Sequence, residues 1–260
     1  MNGHALQTFD INFVPHHSTL TTSGRSNYSR VVDALAQFVD NSVQACRENA
    51  MRREISIRFI FAGSVGSFVI ISDNGCGMDK DCLTEYATYG LDPETRGYRA
   101  EDGDQSFISK FGVGAKQAGF FLGDRIRVVT KTAESPTVLE LVLDRGEFDQ
   151  RFKSGEEVYR GQIKARAIGA TNLTIPPDES TVPHLVHILN EHETSQEQFT
   201  ATIIRLHADT AKELKLKGYY KDVADELAEI YHFHLHPEHL PNRIVEMDKF
   251  KVMIAASVEE

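Results

Sequence analysis

Three short stretches that combine polar residues with glycines constrain the fold of this chain more than any other feature. Each lies beside a segment with a regular hydrophobic pattern, and all three lie in the first half of the chain. Any one of them alone would be weak evidence for a function, so their value lies in their combination and order. They are LAQFVDNSVQA (residues 35–45), SDNGCGM (residues 72–78) and KFGVGAKQA (residues 110–118).

The first stretch belongs to a predicted amphipathic helix. Apolar side chains recur every three or four positions between residues 28 and 50, which is the helical period. Gln37 and Asn41 are four residues apart, so they project from one face, away from the apolar stripe. An asparagine carbonyl suits Mg²⁺ that arrives with a nucleotide. Taken alone, Asn41 is more simply a solvent-exposed helix residue, because asparagine is mostly exposed.

The second stretch follows the apolar run Phe68–Ile71, which predicts a strand in a hairpin with residues 54–61. A carboxylate at the strand tip, Asp73, can accept a hydrogen bond from the exocyclic amine of adenine. Gly75 and Gly77 permit a close backbone approach that a Cβ would obstruct. An Asp-Asn-Gly sequence is also a common turn, so this stretch alone does not establish a site.

The third stretch opens a helix predicted over residues 112–122. The free N–H groups and the positive dipole at a helix start favour anions. Lys116, just inside this helix, can reach a phosphate as a point charge. A glycine-rich turn at a helix start is common, so this stretch also gains its meaning from the other two.

Together and in this order, the three stretches resemble the nucleotide-binding motifs of the GHKL ATPases, such as gyrase, the ninety-kilodalton heat-shock chaperones, histidine kinases and MutL. The resemblance implies the Bergerat fold, an α+β two-layer sandwich with a mixed, mostly antiparallel sheet and helices on one face. It implies ATP and Mg²⁺ as ligands, with Asn41 on the metal. A late threonine, best matched by Thr200 and less well by Thr202, would share the adenine contacts. The implied cofactor-binding residues are Asp73, Gly75, Gly77, Met78, Gly112, Val113, Gly114, Ala115, Lys116 and Thr200.

Position 37 is the general-base position by this resemblance, and it holds glutamine where hydrolysing members carry glutamate. A glutamate would orient the attacking water and accept its proton, which an amide cannot do. Losing a general base costs about 10²–10⁴-fold in rate. The resemblance therefore implies an ATP hydrolase that is slow or trapped here, and the sequence leaves open whether Gln37 is natural or introduced. Asp40 lies further round the helix and is a weaker candidate for the base.

Several stretches resemble one branch of the family more closely, the structural-maintenance-of-chromosomes flexible-hinge-domain-containing proteins, with the microrchidia ATPases next. This implies a nuclear module of a chromatin-associated, gene-silencing protein, which forms a homodimer when ATP is bound and contacts chromatin through other domains. A nucleotide-binding switch without turnover and a chaperone or repair ATPase are the alternatives. The stretches are residues 111–123, 139–143, 158–161 and 229–232.

Composition narrows the function further. The net charge of −10 argues against a broad nucleic-acid surface, which needs a cationic footprint. No apolar run approaches the roughly 20 residues of a membrane span. The three cysteines, none in a Cys-x-x-Cys pair, indicate free thiols in a reducing compartment. They are Cys46, Cys76 and Cys82.

The remaining pattern predicts an organisation around the ATP-binding domain, residues 26–240. Residues 1–25 would form an arm, extended from residue 8, and residues 241–260 the start of a linker or transducer segment. Residues 90–109 indicate a lid, because they are polar, contain glycine and are long for a connection. Four histidines between His232 and His239 follow a predicted helix, which makes a metal site the less favoured interpretation. Further strand candidates are residues 156–164 and 171–175.

Overall fold

The centre of the molecule is a mixed β-sheet, seen in a computed structural model that describes residues 18–47, 49, 53–88, 113–216, 218–236 and 250–259. Within these residues the sheet has seven strands. They are β1 Arg53–Ala62, β2 Gly66–Asp73, β3 Gly123–Lys131, β4 Thr137–Asp144, β5 Ile163–Ala167, β6 Phe199–Leu206 and β7 Phe250–Glu259.

The strand order is β5-β4-β3-β6-β2-β1-β7. Every neighbouring pair is antiparallel except β1 and β7, which run parallel with Arg53 opposite Phe250. The predicted α+β class and mixed, mostly antiparallel sheet are therefore confirmed. The sequence placed residues 241–260 in a linker or transducer segment, whereas residues 250–259 extend the sheet at its edge.

Helices surround this sheet. Among the described residues, no helix has both the length and the apolar character needed to cross a membrane. A 3₁₀ turn, Thr171–Leu173, precedes α6. The helices are α1 Thr19–Asn27, α2 Val31–Ala45, α3 Lys80–Ala87, α4 Gly114–Leu122, α5 Arg145–Ser154, α6 Pro177–Ser180, α7 Pro183–Ser195, α8 Ala208–Leu216, α9 Tyr219–Ile230 and α10 His232–Leu235.

One face of the sheet packs against α2 and α4, which form the predicted helical layer. Side chains alternate along a strand, so this face, which we call the helix face, receives Ile57 and Phe59 of β1 and Val69 and Ile71 of β2. The apolar stripe of α2 is buried against them, as its period predicts. Its buried apolar members are Val31, Val32, Ala34, Leu35, Phe38, Val39 and Val43.

The opposite face, which we call the α7 face, is also covered. Ile60 of β1, Phe68 and Ile70 of β2 and Val129 of β3 pack with Leu185 of α7, and all five side chains are buried. The sequence did not predict this second layer. The run Phe68–Ile71 is apolar at consecutive positions, which is the pattern of a strand covered on both sides.

Three local predictions differ from the structure. Residues 19–25 are helical rather than extended, and the helix α1 packs so closely on α4 that a Cβ at Gly24 would collide with the carbonyl oxygen of Gln117. The strand predicted over residues 156–164 begins only at Ile163, and that predicted over residues 171–175 is the 3₁₀ turn. Residues 1–17 of the predicted arm and the predicted lid lie outside the described residues.

Candidate nucleotide site

Three polar side chains form a row across the central strands of the sheet, at the end where β2 terminates. Asp73 of β2 lies opposite Thr200 of β6, and Thr200 lies opposite Thr130 of β3. The hydroxyl oxygens of Thr130 and Thr200 are 3.1 Å apart. Asp73 follows Val69 and Ile71 in the alternation of β2, so the row lies on the helix face. Thr202, the weaker match, lies opposite Ile71, one step further from the strand end.

Asp73 is the buried carboxyl of this row. Its Oδ2 accepts a hydrogen bond from the Ser42 hydroxyl of α2 at 2.8 Å, and its Oδ1 accepts one from the Gly75 N–H at 3.0 Å. Burial raises the pKa of Asp73 to about 7, and these two bonds offset part of that rise. A carboxylate has about four acceptor positions. Asp73 therefore retains acceptor capacity for a donor on a ligand.

The loop after β2 is held between α2 and β3 by two glycines. A Cβ at Gly75 would lie 2.6 Å from the Cβ of Ala45, and the Cys76 N–H donates to the Ala45 carbonyl at 3.1 Å. Gly77 has φ +69°, and a Cβ there would collide with the carbonyl oxygen of Lys131. Side chains at these positions would push the loop away from α2 and β3. The two glycines therefore permit the close backbone approach that the sequence predicts.

Met78 connects this loop to the row of polar side chains. Its N–H donates to the Thr130 hydroxyl at 2.8 Å, and that hydroxyl is also 3.0 Å from the Phe199 carbonyl. α3 then begins with Asp79 as its N-cap, whose carboxylate accepts from the Cys82 N–H at 2.8 Å. The loop of the second stretch is thus tied to α2, β3 and β6 at once.

The first and third stretches meet at the start of α4. A Cβ at Gly114 would lie 2.5 Å from Oε1 of Gln37, so a side chain there would require the Gln37 amide to move. Val113 occupies the N-cap position without a side-chain hydrogen bond to the first turn, and Ala115 follows in that turn. Asn41, half-buried, lies one helical turn after Gln37. Gly112 lies outside the described residues.

Lys116 points toward α3. Its side chain is 1% exposed. Its ammonium donates to the Tyr86 carbonyl and lies 5.0 Å from the centre of the Tyr86 ring, in a cation–π contact. The ammonium has three protons to donate, so a phosphate contact, as the sequence predicts, could be made beside the bond to the Tyr86 carbonyl.

The carboxyl of Asp40 is hydrogen-bonded on the side of α2 that faces α9. Its Oδ1 accepts a hydrogen bond from the hydroxyl of Tyr231 at 2.6 Å, and burial raises the pKa of Asp40. Tyr231 belongs to the end of α9, so this carboxyl faces α9. Which of position 37 and Asp40 would serve as the general base stays a prediction.

Sequence reasoning missed the roles of Ser42 and Thr130. Ser42 falls among the apolar positions of α2, and a single hydroxyl in a buried stripe is the signal that pointed to a buried partner. Thr130 carries no local signal, because its neighbours in the row are on β6 and β2 and become visible only through strand pairing.

The histidines and cysteines form no metal site in the part of the chain that the structure describes, where no group of three metal-ligating side chains occurs. His232 and His234 lie in the short helix α10, not on a strand. Cys46 is buried with its thiol 3.6 Å from Oδ1 of Asn74, and Cys76 and Cys82 are exposed. All three are free thiols.

Comparison with known proteins shows the family of this chain. The sequence profile of the histidine kinase-, DNA gyrase B- and HSP90-like ATPases matches residues 28–162, which span α2 to the end of the α5–β5 connection. The chain is 34% identical over 246 residues to the human structural maintenance of chromosomes flexible hinge domain-containing protein 1, and 33% identical to its mouse counterpart. Each alignment covers 87% of this chain and 12% of the relative. Since the profile covers more than half of the chain, the protein belongs to the histidine kinase-, DNA gyrase B- and HSP90-like ATPase family.

Proposed function

We propose that this chain is the Mg-ATP-binding ATPase module of a chromosome-structure or gene-silencing protein, and that Gln37 makes it slow in hydrolysis. The observation that carries the proposal is the row Asp73–Thr200–Thr130, since it joins the loop of the second stretch to an acceptor with spare capacity. Family membership supports ATP as the nucleotide. The proposal concerns this module, because the chain spans only 12% of the relatives' length.

The described residues fit such a ligand. In this proposal Asp73 accepts from the adenine amine, with Thr200 beside it, while Gly75, Gly77 and Met78 form the wall that contacts the base. The start of α4, from Val113 to Lys116, offers N–H groups to the phosphates. Mg²⁺, held through Asn41, would reduce the negative charge on the phosphates. The glycine at position 114 keeps the space beside Gln37 free.

Gln37 determines the expected rate. Its Oε1 lies against Gly114 at the start of α4, where a general base would lie next to the phosphates in this proposal. The amide can hold a water molecule but cannot accept its proton at neutral pH. We therefore expect binding and slow turnover, and a nucleotide-binding switch without turnover is the second candidate. Phosphate release in a single turnover, faster than ATP hydrolysis in solution, would exclude the switch.

Isothermal titration calorimetry with Mg-ATP tests the proposal directly. The unaltered protein should bind Mg-ATP more tightly than Mg-GTP, because guanine presents a carbonyl oxygen where adenine presents the amine. Asp209→Ala, a change at an exposed carboxyl of α8, is the matched control for Asp73→Ala. An unaltered protein that binds neither nucleotide, or both equally, contradicts the proposed site.

The proposed assembly is a homodimer that forms when ATP is bound. Its proposed location is the nucleus, where other domains of the full protein would contact chromatin. The relatives are named for the structural maintenance of chromosomes, which supports the setting. Light scattering should show a monomer without nucleotide, a dimer with Mg-ATP, and a weaker dimer after deletion of residues 1–20. A protein that stays monomeric with Mg-ATP at tens of micromolar, roughly the range of weak interfaces, contradicts the dimer.

A further inference from the structure

Tyr231 reaches from the end of α9 to the helix that carries Gln37 and Asn41. Its side chain is buried, and its hydroxyl lies 2.9 Å from the carbonyl oxygen of Ala36 and 2.6 Å from Oδ1 of Asp40. Both acceptors belong to α2. A tyrosine hydroxyl has one proton to donate, so the two α2 oxygens share it or alternate as its acceptor.

The two acceptors enclose the turn of α2 that matters for the proposed chemistry. Ala36 precedes Gln37, and Asp40 precedes Asn41, so the hydroxyl is anchored next to both functional positions. Residues four apart lie on the same side of a helix, one turn above the other. The bonds from Tyr231 therefore hold this turn at two levels, which resists both rotation and tilt of α2.

The other contacts of α2 near this turn differ in kind from the hydrogen bonds of Tyr231. Leu35, Phe38 and Val39 bury the opposite side of the turn in the core through contacts that have no preferred direction. The ion pair between Arg30 and Glu226 also joins α2 to α9, but its side chains are 49% and 37% exposed. Exposed pairs of this kind contribute little. On the α9 side of the Gln37–Asn41 turn the directional bonds come from the buried hydroxyl of Tyr231, whereas Ser42, the next residue of α2, bonds to Asp73 of the sheet.

We propose that Tyr231 is a positioning residue, which sets the rotation of α2 so that Gln37 and Asn41 face the nucleotide. The inference rests on the proposed function, because Gln37 and Asn41 have these roles only if the module binds Mg-ATP. It assigns no contact between Tyr231 and the ligand. Small displacements of groups around a reacting phosphate have large effects on rate. The adenine contact at Asp73 is on β2, where Asp73 is also held by the Gly75 N–H, and it touches α2 only through Ser42.

Tyr231→Phe tests the inference, because it removes the hydroxyl and keeps the buried ring. Calorimetry should compare Mg-ATP with ATP in excess chelator. We expect the affinity for Mg-ATP to fall about threefold to tenfold, the effect of one lost hydrogen bond, while the affinity for metal-free ATP stays unchanged. In a Gln37→Glu background, kcat should fall more than KM changes. A purely structural role would lower both affinities by the same factor or lower thermal stability alone.

The controls separate the possible outcomes. Tyr220→Phe makes the same change in the first turn of α9 and should alter neither affinity. Asp40→Asn keeps an acceptor for the hydroxyl and should resemble the unaltered protein, whereas Asp40→Ala leaves only the Ala36 carbonyl and should give a smaller loss in the same direction. This second pair decides the question if Tyr231→Phe fails to fold. Equal losses with and without Mg²⁺, or none, overturn the positioning role, whereas an unaltered protein that binds no ATP overturns the proposed function itself.

Discussion

The two faces of the sheet bury ionisable side chains in opposite ways. On the α7 face, Arg127 lies 3.1 Å from Glu140 and 2.7 Å from Glu179, while Arg166 lies 2.6 Å from Glu140 and also pairs with Glu193. On the helix face, Asp73 accepts only uncharged donors, Ser42 and Gly75, among its described hydrogen bonds. The first arrangement satisfies each charge with another charge of the fold.

The difference separates structural charges from a charge that is available to a ligand. A buried ion pair whose geometry is complete has little left to offer a ligand, and breaking it leaves a charge without compensation. A buried carboxyl held by two neutral donors keeps a raised pKa, about 7 for Asp73. It gains from any further donor, so the helix face has the property expected of a binding site.

The largest expected effect is that of Gln37→Glu on the helix face. If this face carries the chemistry, single-turnover hydrolysis should rise about 10²–10⁴-fold, with nucleotide affinity nearly unchanged, because the swap alters proton acceptance more than shape. Rapid-quench measurement of ADP formation checks the rate. An equal rate in both proteins would remove position 37 from the chemistry.

On the α7 face, Arg166→Leu should cost stability and leave binding intact. The change leaves Glu140 and Glu193 buried without this partner, and breaking a buried pair costs about 3–5 kcal/mol. Urea unfolding measures the loss, and calorimetry on the folded fraction should show an unchanged affinity for Mg-ATP. Arg160→Leu, at an exposed position, is the control. A loss of affinity without a loss of stability would reverse the assignment of the two faces.

Asp73→Ala should have the reverse pattern. It removes the proposed adenine acceptor, so the affinity for Mg-ATP should fall by about 1–3 kcal/mol. Stability above pH 7 should change little, because removing a buried ionised carboxyl offsets the cost of leaving the Ser42 hydroxyl and the Gly75 N–H without this acceptor. Titration and unfolding of the same sample give both numbers. An unchanged affinity would count decisively against the site.

The last expected effect is the pH dependence of stability that Asp73 contributes. Its pKa is about 7 in the folded protein against 3.8 ordinarily, so between these values the folded state holds a proton that the unfolded state has released. The free energy of unfolding should therefore be highest below this window, fall as pH rises through it and level off above about 7. Asp73→Asn should flatten that slope in urea unfolding. The same slope in both proteins would place the titration elsewhere.

Local patterns predicted the elements that their own residues determine. The apolar period of α2, the runs of β1 and β2, and the glycines at 75, 77 and 114 were all visible in sequence, because each depends on neighbours within a few positions. What escaped prediction depends on distant residues. β7 is a strand because it pairs with β1, whose residues lie about three quarters of the chain length away. The role of Ser42 likewise needs Asp73, which another element supplies.

The close packing of α1 on α4 has a mechanical consequence. With Gly24 against the backbone of α4 at Gln117 and Phe121, and Asn27 bonded to Gln117 at 2.8 Å, the two helices have no room to slide past one another. Close-packed interiors transmit displacement instead of absorbing it. A displacement of α4 at Gly114 should therefore move α1 with it, as far as Thr19. A spectroscopic probe at Ser18 would report events at the start of α4.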